Sequence, residues 1–283
     1  MKTILLPTDF SSNAAKAAQY ASQLFKNEAC TFYIMHALEL QASAPSTGVT
    51  SKRAYQAIHE SRTKSTDSDL ANALKQAQKS ASSDKHTFKT KLVNGSLLES
   101  VMAITEDLKV DLVVIGNKGA SAIQKATFGS NAAQLILKLS CPIIAVPETA
   151  DASNLKEIGF ATDFTIEKYG DGMNLLKEIA QTNKASISVV NVVNKSSGDV
   201  SGLDIKKRLL ENALKPLSLN YFTLTDVSVE MGIHVFSESR KLGMLALITK
   251  KRTFFQKLTT RSHSKAISHN LDVPLIVFDQ RRF

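Results

Sequence analysis

The sequence contains an internal repeat, which limits the folds that the chain can adopt. Ile4 to Ser11 reads I-L-L-P-T-D-F-S, and Ile158 to Thr165 reads I-G-F-A-T-D-F-T, at an offset of 154 residues. Val113 to Val146 aligns without gaps on Leu245 to Phe278, at an offset of 132. Self-similarity at a fixed spacing indicates one structural unit that occurs twice. We therefore predict two domains, residues 1–150 and 151–283.

The two offsets differ, so the second copy is about 22 residues shorter inside. We expect the missing residues to fall in the polar insert of the first copy, Gln41 to Arg53, and in the helix after it, because surface loops tolerate deletion. The linker between the copies is expected at about residues 147–154.

Hydrophobic patterns in the first copy predict strands that alternate with helices. The predicted strands are Lys2 to Leu6, Cys30 to Ala37, His86 to Val93, Asp111 to Ile115 and Ile143 to Val146. The predicted helices run from Ser11 or Ser12 to Phe25, from about Ala54 to Ser82, from Leu97 to Leu108 and from Ser130 to Leu139. Such alternation indicates an α/β fold, here two tandem doubly wound parallel five-stranded sheets with helices on both faces.

Composition and charge exclude several other classes of protein. The chain is 43% hydrophobic and 22% charged, which is ordinary for a globular protein. Its net charge of +9 is divided almost evenly between the copies, which favours surface solubility over a nucleic-acid partner. The start of the chain resembles no signal peptide and no stretch resembles a membrane span, so we expect a cytoplasmic protein without a membrane partner. Cys30 and Cys141 lie beside apolar segments and are expected to be buried thiols.

A glycine loop follows the fourth predicted strand and leads into a helix. Gly116, Gly119 and Gly129 form the pattern G-x2-G-x9-G-S, which ends at Ser130. Glycines permit close backbone approach, and a helix N-terminus presents unpaired N–H groups to an anion. Lys118 adds a cation inside the loop. The pattern favours a phosphate site, with a glycine-rich turn as the alternative, and it matches neither a Walker loop nor G-x-G-x-x-G.

These motifs together resemble the universal stress protein family in its tandem form. The resemblance covers nearly the whole chain and rests on P-T-D-F-S, I-M-H-A after the second strand, N-G-S before a helix, the glycine loop and C-P-I-I-A-V. It implies a Rossmann-like fold of the adenine nucleotide alpha hydrolase type and a bound ATP or AMP, with or without Mg²⁺. The site residues expected on this basis are Pro7, Thr8, Asp9, Ala37, Gly95, Gly116, Asn117, Lys118, Gly119, Gly129, Ser130 and Asn131.

The resemblance also divides these residues by role. Asp9 and the backbone of Ala37 would hold the adenosine end, and the glycine loop would hold the ribose and phosphates. An aspartate before Phe-Ser-Ser can equally be a turn or helix cap, and Asp163 in the second copy occupies the same place.

The second copy departs from the pattern at all three glycines. Ile248, Lys251 and Arg261 replace Gly116, Gly119 and Gly129, so we expect no ATP binding there. Arg240 to Lys265 carries eight basic residues and no acid, which fits a solvated face, a contact with the other copy, or an acidic or polynucleotide partner.

The main functional hypothesis is a regulatory or stress-response protein that binds a nucleotide in its first copy. Two alternatives stay open: a weak ATP hydrolase or phosphotransferase that uses Asp9 and His36, and an interaction module that needs no nucleotide. The resemblance also implies that the last strands of the two copies, Ile143 to Val146 and Leu275 to Phe278, pair inside one chain. The two domains would then form an intrachain pseudo-dimer, and the sequence leaves open whether two chains form a homodimer.

Overall fold

The computed structural model describes residues 1–39, 49–118, 129–193, 202–249 and 272–280. Ten strands occur in these ranges. They are β1 (Lys2–Pro7), β2 (Cys30–Leu38), β3 (His86–Asn94), β4 (Leu112–Gly116), β5 (Ile143–Val146), β6 (Glu157–Ala161), β7 (Ser186–Val193), β8 (Leu219–Thr225), β9 (Met244–Thr249) and β10 (Leu275–Asp279).

Helices in the described ranges alternate with the strands, as the sequence predicts. They are α1 (Ser12–Leu24), α2 (Val49–Lys79), α3 (Leu97–Asp107), α4 (Ser130–Lys138), α5 (Asn174–Asn183), α6 (Leu203–Leu214) and α7 (Val229–Arg240), with a short 3₁₀ turn at Asp171–Met173. None of them has the length and hydropathy needed to cross a bilayer.

The strands form one sheet in the order β3-β2-β1-β4-β5-β10-β9-β6-β7-β8. Strands within each half are parallel, and the halves meet where β5 pairs antiparallel with β10, Ile144 opposite Ile276. The predicted doubly wound α/β class is confirmed. The two five-stranded sheets are continuous, because the last strands of the repeats hydrogen-bond to each other.

Alternate side chains of each strand build two cores, one on each face of the sheet. In β1, Ile4 and Leu6 pack with α1 and α2, whereas Leu5 packs with α3 and α4 on the opposite face. Each core includes side chains from both halves, such as Ile179 of α5 on the first face and Phe236 of α7 on the second. The halves therefore share their apolar interior across the sheet.

The shorter second copy differs from the first between its second and third strands. The first copy has a helix of 31 residues there, α2, and the second copy has one of 12 residues, α6. This agrees with a deletion in the helix after the polar insert; residues 40–48 of that insert lie outside the described residues. Helix α2 begins at Val49, five residues before the predicted start, and ends at Lys79.

Polar side chains also join the halves beside the shared core. Lys2 forms ion pairs with Glu28 and with Glu178 of α5. Thr182 donates a hydrogen bond to Glu28 over 3.1 Å, and the Asn183 amide donates to the carbonyl of Leu24 over 3.2 Å. The beginning of β1 and the end of α1 are thus tied to α5.

Candidate functional site

The turn after β1 is held by its own side chains. The Thr8 hydroxyl accepts a hydrogen bond from the backbone N–H of Phe10 over 3.0 Å. Asp9 Oδ1 accepts from the backbone N–H of Ser11 over 3.1 Å and from its hydroxyl over 2.6 Å. Ser11 then caps α1 by accepting from the N–H of Ala14. These bonds hold Phe10 at a φ of 63°, which few residues other than glycine adopt.

The second half repeats this turn in detail. Thr162 accepts from the N–H of Phe164, and Asp163 accepts from the N–H and hydroxyl of Thr165. Phe164 has a φ of 54°. The aspartate therefore has a structural role in both halves, independent of any ligand, as the turn interpretation of the sequence states.

His36 lies near the end of β2, the strand next to β1, and it contacts the turn that follows β1. Its Nδ1 lies 2.8 Å from the Thr8 carbonyl, which can only accept, so Nδ1 carries the proton. The ring stacks on Phe10 with centroids 4.6 Å apart. In the second half, Asn191 donates to the carbonyl of Thr162 over 2.8 Å in the corresponding place. The histidine therefore supports the turn through a bond that an amide makes in the other half.

Gly95 follows β3 and requires glycine because of its backbone. Its φ is 140°, a region that L side chains rarely adopt, and its N–H donates to the carbonyl of Leu38 over 3.1 Å. Ser96 next to it caps α3: its hydroxyl accepts a hydrogen bond from the N–H of Glu99 and donates one to the Glu99 carboxylate. The hydrogen bond from Gly95 to Leu38 brings the ends of β2 and β3 together beside Ala37, which lies opposite Val93 in the ladder.

The glycine loop is closed at its base by backbone hydrogen bonds. The N–H of Asn117 donates to the carbonyl of Val146 over 2.9 Å, and the N–H of Gly129 donates to the carbonyl of Asn117 over 2.6 Å. Lys118 is half-buried beside this base. Gly119 lies outside the described residues. The two described ends of the loop thus meet where β4 ends and α4 begins.

The N-terminus of α4 carries no side-chain cap from any described residue. Gly129 is the N-cap residue, with φ −67° and ψ 156°, and no acid lies in the first turn. Ser130 and Asn131 are exposed there. A helix start of this kind leaves N–H groups and the positive end of the helix dipole for an anion.

Sequence reasoning missed Asn13, a buried residue of α1 that holds the loop base. Its side-chain amide donates to the carbonyl of Lys118 over 2.9 Å and to Asn117 Oδ1 over 3.1 Å. A Cβ at Gly116 would lie 2.9 Å from Asn13 Cγ. Gly116 has no positive φ, and the close packing of Asn13 is sufficient to require glycine there. The paired differences at the repeat positions, Asn13 to Glu167 and Gly116 to Ile248, were the available signal.

A cavity of about 560 Å³ lies between β1, α1 and α2. Pro7 and Thr8 line its end near the turn, and Phe10 together with small and polar side chains of both helices lines its walls. The other described site residues are not part of its lining. The cavity therefore lies on the α1 and α2 face, whereas the start of α4 lies on the opposite face of the sheet.

In the second half, Ile248 occupies the position of Gly116. It is partly buried and packs against the first core. Lys251 and Arg261, together with most of the basic segment, lie outside the described residues. Arg240, where that segment begins, pairs with Glu157 and lies over the ring of Phe222 at 4.5 Å.

The sequence and the fold were compared with those of known proteins. The model of the universal stress protein family matches residues 1–147. A universal stress protein of Methanocaldococcus jannaschii is 25% identical over 145 residues, which are 51% of this chain and 81% of that protein.

Two solved structures have the same fold along nearly the whole chain. A universal stress protein from Archaeoglobus fulgidus has a TM-score of 0.72 at 13% identity and covers 98% of both chains. A putative universal stress protein from Pseudomonas aeruginosa has a TM-score of 0.59 at 14% identity, over 99% of this chain and 93% of its own. The match of the family model to more than half of the sequence decides the assignment: the chain belongs to the universal stress protein family.

Proposed function

We propose that this protein binds an adenine nucleotide, ATP or AMP, in its N-terminal half and acts as a regulatory or stress-response protein. The observation that carries the proposal is the start of α4, where described residues supply neither a side-chain cap nor an acid in the first turn. The hydrogen bond from Gly129 to Asn117 holds this helix start against the end of β4. An anion at that point would accept hydrogen bonds from the N–H groups of the first turn.

The remaining site residues lie at or just after the carboxyl ends of the parallel strands β1 to β4, the edge at which doubly wound sheets bind ligands. In the proposal, Gly129, Ser130, Asn131 and Lys118 hold phosphate and ribose together with Gly116, Asn117 and Gly119. Asp9 and the backbone of Ala37 hold the adenosine end, with Pro7, Thr8 and Gly95 beside them. Asp9 is exposed in the turn after β1.

The C-terminal half has a structural role in this proposal. Ile248 packs its side chain at the place where the N-terminal half has Gly116. Residues 1–150 and 151–283 would be two domains of one repeat, and the β5–β10 pairing would make the chain its own dimer. The association of two chains into a homodimer is tested by measuring the mass of the protein in solution.

We infer binding and not catalysis because the two groups available for acid–base chemistry at this edge stabilise the turn. Asp9 caps it, and His36 bonds to Thr8 and stacks on Phe10. In the described ranges no group of three or more His, Cys, Asp or Glu is arranged to hold a metal ion. In this proposal, any Mg²⁺ is bound by the nucleotide phosphates. The cytoplasm is the compartment in this proposal, in keeping with two buried cysteines that form no disulfide.

Equilibrium dialysis of nucleotide-free protein against Mg·ATP and AMP tests the proposal. Gly129→Arg introduces the residue that the second copy has at this position, and the φ of −67° accommodates any side chain. We expect saturable binding by the wild type and loss of at least about tenfold in affinity for this variant, since a guanidinium would fill the space at the helix start.

The matched control is Gly170→Arg, in the other half, where an added Cβ meets no atom within 4 Å. It should bind like the wild type. Absence of binding at millimolar nucleotide, or unchanged binding by Gly129→Arg, would contradict the proposal. Binding should also raise the unfolding temperature, since ligand at 100 times Kd stabilises by about 2.7 kcal/mol.

A further inference from the structure

Asn13 connects α1 to the first residues of the glycine loop. It lies in the first turn of α1 and is only 5% exposed. Its amide nitrogen donates to the carbonyl of Lys118 and to Asn117 Oδ1. A backbone carbonyl can only accept, so the bond to Lys118 fixes which end of the side-chain amide is the nitrogen.

This orientation leaves Asn13 Oδ1 buried with no hydrogen-bond donor among the described residues. A buried unpaired carbonyl oxygen is costly, and folded proteins seldom keep one without a reason. In this orientation, Asn13 Oδ1 has no hydrogen bond among the described residues, and the amide nitrogen makes both hydrogen bonds, to Asn117 and to Lys118.

Asn13 and Gly116 also interlock sterically. A Cβ on Gly116 would lie 2.9 Å from both Cγ and Nδ2 of Asn13 and 3.0 Å from its backbone oxygen. Only glycine at 116 lets the start of α1 approach the end of β4 this closely. The close approach in turn brings the amide of Asn13 within reach of the Lys118 carbonyl.

The second half lacks both members of this pair. Glu167 stands at the repeat position of Asn13 and is exposed, and Ile248 stands at that of Gly116. The helix after the first strand begins only at Asn174 there, after a short 3₁₀ turn. The threonine and aspartate of the preceding turn are unchanged. The interlock therefore differs between the halves together with the loop glycines, whereas the turn does not.

We propose that Asn13 is a positioning residue that fixes Gly116, Asn117 and Lys118 for the phosphate end of the nucleotide, an inference that rests on the proposed function. Without its two donor bonds, the peptide after Lys118 loses a fixed orientation, and the loop base must be ordered again when phosphate binds. The adenosine end lies with Asp9 and Ala37 and makes no use of these bonds. Loss of Asn13 should therefore weaken the phosphate contribution selectively.

The experiment compares the affinities for ATP and for adenosine in the wild type and in three Asn13 variants. Asn13→Asp keeps the shape but removes the donor, Asn13→Ala removes the whole amide, and Asn13→Ser keeps one shorter donor. We expect Asp and Ala to weaken ATP binding about tenfold, the effect of losing a hydrogen bond at a buried site. Adenosine binding should change less than twofold, and Ser should recover part of the preference for ATP.

Asn191→Ala is the matched control in the other half. It removes an amide bond to the carbonyl of Thr162, which should lower stability without changing the ratio of the two affinities. If the Asn13 variants bind ATP and adenosine with the wild-type ratio, the inference is overturned although the proposed function stands. If the wild type binds neither ligand, the proposed function itself fails.

A stability measurement keeps the interlock testable where an Asn13 variant folds poorly. Gly116→Ala should lower the unfolding temperature in the wild type and do so less in the Asn13→Ala background, since Cγ and Nδ2 of Asn13, both 2.9 Å from the added Cβ, are then removed. Equal losses in both backgrounds would show that the side chain of Asn13 does not determine the glycine, and would overturn the inference.

Discussion

Gly95→Ala is the substitution for which the structure gives the clearest magnitude. The glycine has a φ of 140°, and a Cβ added there would lie 3.5 Å from the Ser100 hydroxyl, an ordinary contact. The side chain therefore meets no obstacle, and the cost comes from the backbone alone. Backbone strain of this kind costs about 1–3 kcal/mol.

The expected change in unfolding temperature follows from that range. For domains of about 150–250 residues, 1 kcal/mol corresponds to about 2–4 °C. Gly95→Ala should therefore unfold about 2–12 °C below the wild type. Differential scanning calorimetry in the absence of nucleotide measures this, because bound ligand would add its own stabilisation.

Two other glycines separate strain from the general effect of replacing glycine. Gly202 has a φ of 80° with no atom within 4 Å of an added Cβ, so Gly202→Ala should cost about 1–2 kcal/mol. Gly170 has no contact within 4 Å and no positive φ, so Gly170→Ala should be neutral or stabilise by up to about 1 kcal/mol. The reasoning from φ is refuted if Gly95→Ala has the unfolding temperature of the wild type, or if Gly170→Ala lowers that temperature as much as Gly95→Ala does.

Three further predictions concern the junction and the core. Burial alone would lower the pKa of Lys2, but its hydrogen bond to Glu178 and the charges of Glu28 and Glu178 outweigh burial and raise the pKa above 10.5. The stability from these pairs, about 0.2–1 kcal/mol, should be present below pH 10.5 and be lost as the pH rises through the higher folded-state value; in urea titrations Lys2→Met should lose this pH dependence. Burial raises the pKa of Cys30 to about 11, so an aromatic disulfide reagent at pH 8 should modify it only in denaturant, and rapid reaction of native protein would contradict the burial. Ile144 is fully buried opposite Ile276, so Ile144→Ala should cost about 2–5 kcal/mol in chemical denaturation, against less than about 0.5 kcal/mol for the exposed control Val235→Ala.

Much of the fold was predictable because its signals are local. Apolar runs such as Leu112–Gly116 predict buried parallel strands, and Ser11 or Ser12 predicts the start of α1 that the structure shows. The element with the largest boundary difference is α2, whose start at Val49 lies inside the segment predicted as a polar insert. Its residues carry no strong apolar periodicity, so the pattern did not mark where the helix begins.

The contacts within the candidate site were less predictable because they join distant parts of the chain. The sequence interpretation of Gly116 was the approach of a phosphate, and it did not include Asn13, which is more than one hundred residues away in the chain and lies 2.9 Å from a Cβ added at Gly116. Asn13 itself follows a good helix cap and has no local feature that marks it. The continuous sheet differs from this case: nothing within β5 or β10 alone indicates that they pair, and the prediction of their pairing came from the family resemblance.

The comparison of the halves separates residues that report on binding from residues that report on folding. The bonds of the Thr-Asp-Phe turn are satisfied within four residues, so this turn forms with or without a ligand and occurs in both halves. The Asn13–Gly116 interlock occurs only beside the loop that keeps its glycines, and it leaves one buried oxygen unpaired among the described residues. The second half folds without this interlock, so the interlock is not a requirement of the repeated fold. Its buried unpaired oxygen is also unfavourable, which points to a role in the loop beside it. Under the proposed function, the interlock, and not the aspartate, is therefore the better mark of a half that binds phosphate.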